Sequence, residues 1–129
     1  MNIQKVVKEL RRKYPGKKIV MNDPDDPSEI ICEVEPSSVS SDKSLAIAVI
    51  DNVIHHYHKN SEEVYEVVRG TLVVTINGKQ STLIPGQSIR IRPDQVHSAE
   101  GHGTWVKVTS RPAWTPDDHY VVADSVDEK

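Results

Sequence analysis

The amino-acid sequence predicts an all-β fold, either an antiparallel sandwich or a closed barrel, preceded by one helix. Three observations lead to this prediction. Eight prolines and six glycines interrupt a chain of 129 residues, apolar or alternating stretches of about five to eight residues recur at intervals of about 8 to 12 residues, and a helical period occurs only near the N-terminus. The length suits one compact domain with its own core, which we expect to span residues 1–129.

The first predicted element is a helix over residues 2–14. Its apolar residues have the i, i+3, i+4, i+7 spacing of a single helical face, at Ile3, Val6, Val7 and Leu10. The sequence Tyr-Pro-Gly at 14–16 ends the helix, because proline and glycine both interrupt helical structure. We expect the apolar face to cover a sheet or to contact a partner.

Strand signals follow the helix. The stretch IICEVE at 30–35 is predicted to be a strand, and it lies between two polar loops at 22–29 and 37–44. The continuous apolar run LAIAVIDNV at 45–53 is predicted to be a second, more deeply buried strand.

A β-hairpin is predicted around Asn77-Gly78. This pair is a strong hairpin signal because both turn positions need a positive φ, and TLVVTI and KQSTLI flank it. Proline-containing turns then separate SIRIR at 88–92 from TWVKVTS at 104–110, which follows a glycine-flanked loop. The alternation of short strands and turns continues almost to the end of the chain.

Composition narrows the class of partner. The formal net charge is −3, with 16 Lys and Arg scattered among 19 Asp and Glu, so no basic stripe is present to follow a phosphate backbone. The single cysteine, Cys32, cannot form an internal disulfide. No stretch has the character of a secretory signal or a membrane span. We expect a cytoplasmic protein that binds neither nucleic acid nor membrane.

The segment HHYHKNSEEVYEVVRG at 55–70 concentrates residues that bind metals. Because successive side chains of a strand alternate between its faces, His56 and His58 point the same way. A turn and a returning strand can place Glu63 beside the two imidazoles. Glu62 is the adjacent alternative, but strand parity favours Glu63.

A fourth candidate ligand is His97. It follows the turn IRPDQV, and an antiparallel partner strand could carry it alongside the first three. Three imidazoles and one carboxylate suit a divalent first-row transition metal, and such a shell leaves one or two positions open. The metal could be Fe, Mn, Ni, Zn or Cu.

These spacings resemble two known motifs. The first motif of the cupin superfamily is similar to the pattern His56-x-His58-x(4)-Glu63-x(6)-Gly70, and the second resembles IRPDQVH, which ends at His97. The match extends over about residues 45–110, and the chain resembles a small stand-alone metal-binding cupin of the type-2 kind. The resemblance implies a jelly-roll (double-stranded β-helix) barrel with the metal inside, a C-terminal segment at 111–129 that folds back on the barrel, and a homodimer.

Other residues near these motifs are assigned weaker roles. Tyr65 faces inward two residues after Glu63, so it is either ordinary core or a pocket wall whose hydroxyl acts in catalysis. Trp114 is expected in a core or interface, or as a lid over the pocket. The residues expected at the surface are His55, Glu66, Arg90, Arg92, His102 and His119.

Function is less determined than fold, because cupins include many kinds of enzyme and also plain binding modules. The first hypothesis is a metal-dependent enzyme that acts on a small polar metabolite, of the dioxygenase type or of the isomerase, lyase or decarboxylase type. The alternative is a non-catalytic module that binds a sugar or an organic acid through the metal. A third hypothesis is a structural metal, which a closed four-ligand shell would support.

Overall fold

The computed structural model describes residues 1–122 of the chain. The predicted fold class is confirmed, since one helix is followed by antiparallel strands. Residues 123–129 of the segment expected to fold back lie outside the described part. The elements are α1 Ile3–Lys13, β1 Lys18–Met21, β2 Glu29–Glu35, β3 Ser44–Tyr57, β4 Glu62–Arg69, β5 Leu72–Ile76, β6 Lys79–Leu83, β7 Ser88–Ile91, β8 His97–Arg111, a 3-10 turn Pro116–Asp118 and β9 Tyr120–Val121.

Two long strands organise the sheet. Strand β8 pairs with β3, β4 and β5, and strand β3 pairs with β2, β8 and β9. The remaining strands extend this centre, since β1 pairs with β2, β6 with β5 and β7 with β4. All these pairings are antiparallel, so short turns suffice to connect most neighbours.

The strands bury apolar side chains on both faces. One face carries the inner cluster, which comprises Ala48, Ile50, Val53, Tyr65, Val67, Leu72, Val74, Leu83, Ile91, Ala99 and Val106. The other carries the outer cluster, which comprises Val6, Leu10, Ile30, Cys32, Ile47, Val49 and Trp105. Strand β3 serves both clusters because its side chains alternate between the two faces.

Helix α1 covers the outer face of the sheet. Asn2 caps it by accepting a hydrogen bond from the Lys5 backbone N–H at 3.1 Å. Val6 and Leu10 are buried in the outer cluster, and Leu10 is completely inaccessible to solvent. Of the two roles expected for the apolar face, the structure therefore shows the sheet-covering one.

The predicted hairpin is present. Asn77 and Gly78 have φ angles of 49° and 85°, and they join β5 to β6 with Ile76 opposite Lys79. The Asn77 side chain also accepts a hydrogen bond from the Val96 backbone N–H at 3.0 Å. The hairpin turn therefore supports the chain immediately before His97.

Two features of the sheet differ from the sequence-based expectation. Strand β1 was not predicted, because its four residues are too few for an alternating pattern. Among residues 1–122 its one pairing partner is β2. Strand β8 begins at His97 and passes through the glycine-flanked segment that was expected to be a loop. The register with β3 shifts between Ile50 and Asn52, so that segment is a bulge inside a long strand.

Candidate metal centre

Four predicted ligands meet where β3, β4 and β8 come together. His56 lies near the end of β3 and directly opposite His97, the first residue of β8. His58 follows the end of β3, and Glu63 is the second residue of β4. All four residues are at most 4% exposed, and one ligand atom from each lies within 4.8 Å of the others.

The orientation of each imidazole is fixed by a backbone carbonyl. The Nδ1 atoms of His56, His58 and His97 lie 2.9, 2.7 and 2.9 Å from the carbonyl oxygens of Ile54, Asp118 and Gln95. A carbonyl can only accept, so each Nδ1 must carry the hydrogen. The Nε2 atoms are left with lone pairs, which is the tautomer that binds metals.

The atoms that face one another have no hydrogen-bond partner. His58 Nε2, His97 Nε2 and Glu63 Oε1 are buried and unpaired within the described residues. Glu63 Oε1 lies 3.1 Å from His58 Nε2 and 3.6 Å from His97 Nε2. Because unpaired buried polar atoms are costly, a shared cation is the simplest way to satisfy all three. The donor set therefore fits a first-row metal ion.

The other oxygen of the glutamate is held separately. Ser110 Oγ donates a hydrogen bond to Glu63 Oε2 at 3.1 Å, and Ser110 is the register partner of Glu63 on β8. This bond orients the carboxylate and leaves Oε1 directed at the imidazoles. Support of this kind around metal ligands commonly tunes affinity.

The protonation states also suit a metal site. Burial, followed by the nearby charge of His97, lowers the pKa of His56 to about 3, so this imidazole is neutral at physiological pH. Although burial raises the pKa of Glu63, contact with His58 and His97 holds it well below its usual range. A neutral imidazole and an ionised carboxylate are the forms that ligate, and His56 and Glu63 are held in these forms.

The structure distinguishes Glu63 from Glu62. The Glu62 carboxylate is 37% exposed and lies 3.7 Å from the Arg90 guanidinium on the outer surface. The parity argument that favoured Glu63 therefore placed the two side chains correctly. Arg90 is also at the surface, as expected.

A cavity of about 440 Å³ is lined by three of the four donors, His56, His58 and Glu63. Tyr65, which is 4% exposed, belongs both to the inner cluster and to the cavity wall, and a catalytic role for its hydroxyl stays a prediction. Burial, then the charges of Glu63 and Glu29, raise the pKa of Tyr65 well above its usual value. Its phenol therefore stays protonated and can act as a hydrogen-bond donor. Trp114 also lines this cavity.

Glu29 lines the same cavity and was not identified from the sequence. It is the first residue of β2 and shares a face with Ile31 and Glu33, which also line the cavity. Burial, followed by the charge of Glu63, raises the pKa of Glu29 to about 7. The alternation in EIICEVE contained the signal that Glu29 shares a face with other residues, but it could not show what that face meets.

The prediction that His119 lies at the surface is wrong. Its ring stacks on His56 with centroids 4.5 Å apart and lines the cavity, and burial lowers its pKa. His119 arrives there because β9 pairs with the end of β3. The residues that do lie at the surface, as expected, are His55, Glu66, Arg90, Arg92 and His102.

Asp118 is a further residue that sequence reasoning missed. Its carboxylate accepts hydrogen bonds from the backbone N–H groups of Lys59, Asn60 and Ser61 at 2.7 to 3.2 Å. Its own carbonyl accepts from His58 Nδ1. Asp118 therefore fixes both the turn between two ligands and the orientation of one of them.

The antiparallel sheet around an inner core carries a cluster of three histidines and one glutamate. Residues 48–108 match the family of cupin domains, so this part of the chain is similar to that family. No curated protein matches in sequence.

Several solved structures resemble the chain in fold. Pac13 from Streptomyces, a nucleoside dehydratase, superposes with a TM-score of 0.73 at 15% identity, over 84% of this chain and 87% of that one. KdgF from Halomonas superposes with a TM-score of 0.65 at 18% identity, over 75% and 89%. A variant of oxalate decarboxylase from Bacillus subtilis gives a TM-score of 0.71 at 12% identity, over 90% of this chain and 33% of that one. At these identities the likeness shows the fold alone.

Proposed function

We propose that this protein is a metal-dependent enzyme that acts on a small polar metabolite. The observation that carries the proposal is the convergence of four buried donors, His56, His58, Glu63 and His97, of which all but His97 line a cavity. One divalent first-row transition metal (Fe, Mn, Ni, Zn or Cu) held there would polarise an oxygen of a substrate. An adjoining cavity also argues against a closed, purely structural site.

The cavity wall supplies groups that can hold or move a proton. Tyr65 can donate a hydrogen bond, Glu29 can exist in either protonation state near neutral pH, and His119 offers an imidazole. Proton transfer is central to isomerase, lyase and decarboxylase reactions. The wall therefore supports these reaction types over a dioxygenase, which needs fewer groups of this kind.

The titratable groups on the cavity wall also bear on the alternative, a non-catalytic module that binds a sugar or an organic acid. A binding module needs a ligand-shaped cavity but no titratable group inside it. Three such groups around one cavity favour the enzyme. Turnover of any ligand that binds the metal-loaded protein is the measurement that separates the two.

Metal content tests the proposed site. Protein prepared without metal-affinity purification should contain about one first-row metal ion per chain by elemental analysis, and His58→Ala should lose most of it. His55→Ala is the matched control, because His55 is the same residue type three positions away on the exposed surface. A folded wild-type chain that binds no first-row metal would refute the proposal.

We further propose that the protein acts in the cytoplasm and forms a homodimer. In residues 1–122 no helix is long and apolar enough to cross a membrane. Sedimentation equilibrium checks self-association, and a chain that stays monomeric at high micromolar concentration would contradict it.

A further inference from the structure

The cavity beside the candidate metal centre has an unusual balance of charge. Four carboxylates line it, whereas among the described residues a single lysine and no arginine do so. The acidic residues are Glu29, Glu33, Glu35 and Glu63, and the basic one is Lys18. Three of the acidic residues, Glu29, Glu33 and Glu35, come from β2.

The lysine is poorly placed to anchor an anion. Lys18 is exposed, and its register partner across the β1–β2 pair is Glu33. Neighbouring opposite charges on one face of a sheet offset each other. A ligand carboxylate or phosphate that entered the cavity would therefore meet four carboxylates and, among the described residues, no basic group except the exposed Lys18 ammonium.

Glu29 is available for a ligand. Its backbone N–H bonds to Asn22 Oδ1 at 3.0 Å, but within residues 1–122 its carboxylate makes no hydrogen bond and no ion pair. A half-buried carboxylate without a partner is costly, so a donor supplied by a ligand would be stabilised there. Glu29 lines the same cavity as three of the metal donors, His56, His58 and Glu63.

The metal donor cluster and the carboxylates of β2 require different properties of a ligand that lies between them. A cationic ligand would be disfavoured by a metal ion at the donor cluster, and an anionic ligand by the carboxylates of β2. A hydroxyl group satisfies both, because it carries lone pairs that suit a cation and a hydrogen that suits a carboxylate.

We infer that the cavity takes an uncharged polyhydroxylated ligand, a neutral sugar or nucleoside rather than an organic acid or a phosphate ester, and that Glu29 accepts a hydrogen bond from one of its hydroxyl groups. The inference rests on the proposed function, since it assumes a cation at the donor cluster. It selects one substrate class from those that the sequence left open.

Matched pairs of ligands test the inference. Metal-loaded protein is titrated calorimetrically with glucose and glucuronate, galactose and galacturonate, and uridine and uridine monophosphate, with glucosamine as the cationic comparison. The pH is kept well above the Glu29 pKa of about 7. We expect at least one neutral member to bind, and its charged counterparts to bind about tenfold more weakly or worse.

Substitution of Glu29 tests the residue itself. Glu29→Gln should reduce the discrimination against the anionic member of the pair by about tenfold. Glu66→Gln removes the same charge from the exposed outer face of β4, so it should leave the ratio unchanged. The wild-type panel decides the ligand class even where Glu29→Gln reduces stability.

Two results would overturn the inference. One is a panel in which charged members bind as well as their neutral counterparts, and the other is a panel in which no neutral member binds. Metal content is measured on every sample first. A chain that contains no metal would contradict the proposed function. A metal-loaded chain that prefers anions would contradict only the inferred class of ligand.

Discussion

The two faces of the same strands have different roles: the outer face packs against helix α1, and the inner face carries the candidate metal centre. On the outer face, Leu10 and Val6 of α1 pack on apolar residues of β2, β3 and β8, and that cluster contains no histidine or carboxylate. On the inner face, the apolar cluster is continued by four buried donor residues and a cavity. Alternation along a strand thus lets one segment stabilise the fold on one side and build a site on the other. Stability and metal binding should therefore respond to different substitutions.

Acid should have the largest effect on the inner face, because it should release the metal while the outer face stays folded. Only neutral imidazole ligates, so protons compete with the metal as pH falls. In the metal-free site the pKa of His58 is raised above 6.5, despite the opposing effect of burial, by Glu63, whereas that of His56 is lowered to about 3. His58 should thus protonate first, and most metal should be released by about pH 5.

Circular dichroism and metal content, measured on the same samples, check this order of events. The outer cluster has no histidine or carboxylate, so the fold should persist after the metal has left. Full metal retention far below pH 5, or unfolding that precedes release, would contradict the expectation.

Leu10→Ala should have the largest effect on stability. Leu10 is fully buried under the helix, and truncation of such a side chain leaves a cavity that costs about 2–5 kcal/mol in the free energy of unfolding. Urea denaturation measures this cost, and the metal content of the folded fraction should stay the same. Ile3→Ala is the control, because Ile3 is 36% exposed on the same helix. A loss of metal from folded Leu10→Ala would show that the two faces are coupled.

Asp118→Ala should act mainly on the metal centre. The substitution removes the acceptor for three backbone N–H groups in the turn between His58 and Glu63. Loss of such support typically weakens metal binding by about 10- to 100-fold. Competition with a chelator measures the affinity. Asp117→Ala, at the exposed neighbouring position, should bind metal as the wild type does.

Local patterns predicted the outer helix and the ligands, whereas long-range pairing determined the rest of the site. The stripe that contains Leu10 predicted α1, and strand parity placed His56 and His58 on one face. Asp118 and His58 are 60 residues apart, so no local pattern connects them. The same holds for His119, which reaches the cavity only through the pairing of β9 with β3.

The case of Glu29 shows a different limit. Alternation along β2 predicted which residues share a face with Glu29. It did not predict whether that face meets solvent, the core or a cavity. The answer depends on how β2 pairs with β3, where Glu29 lies opposite Ile50. Periodicity therefore predicts which side chains go together, and only the tertiary structure shows what they enclose.

The smallest effect is expected at the surface beside the outer cluster. The Glu9 carboxylate accepts hydrogen bonds from the two terminal guanidinium nitrogens of Arg69, both at 3.0 Å, and lies 3.1 Å from the Lys13 ammonium. Arg69 also stacks over Trp105. Such exposed pairs contribute about 0–1 kcal/mol, less at high salt. Glu9→Gln should therefore reduce the free energy of unfolding only slightly, and Glu66→Gln, outside any ion pair of the described residues, still less.

The difference in free energy of unfolding between wild type and Glu9→Gln should depend on pH, and this dependence shows whether the charge of Glu9 is its cause. Hydrogen bonds from Arg69 and then Lys13 lower the pKa of Glu9 from 4.5 to about 2. A carboxyl group with a depressed pKa in the folded state stabilises the protein above its unfolded value, and that contribution is lost as pH falls. The difference between wild type and Glu9→Gln should therefore be full above pH 4.5 and vanish towards pH 2. A difference that persists in acid would mean that Glu9 acts by packing on the helix, so the charge on this face would be incidental to its stability.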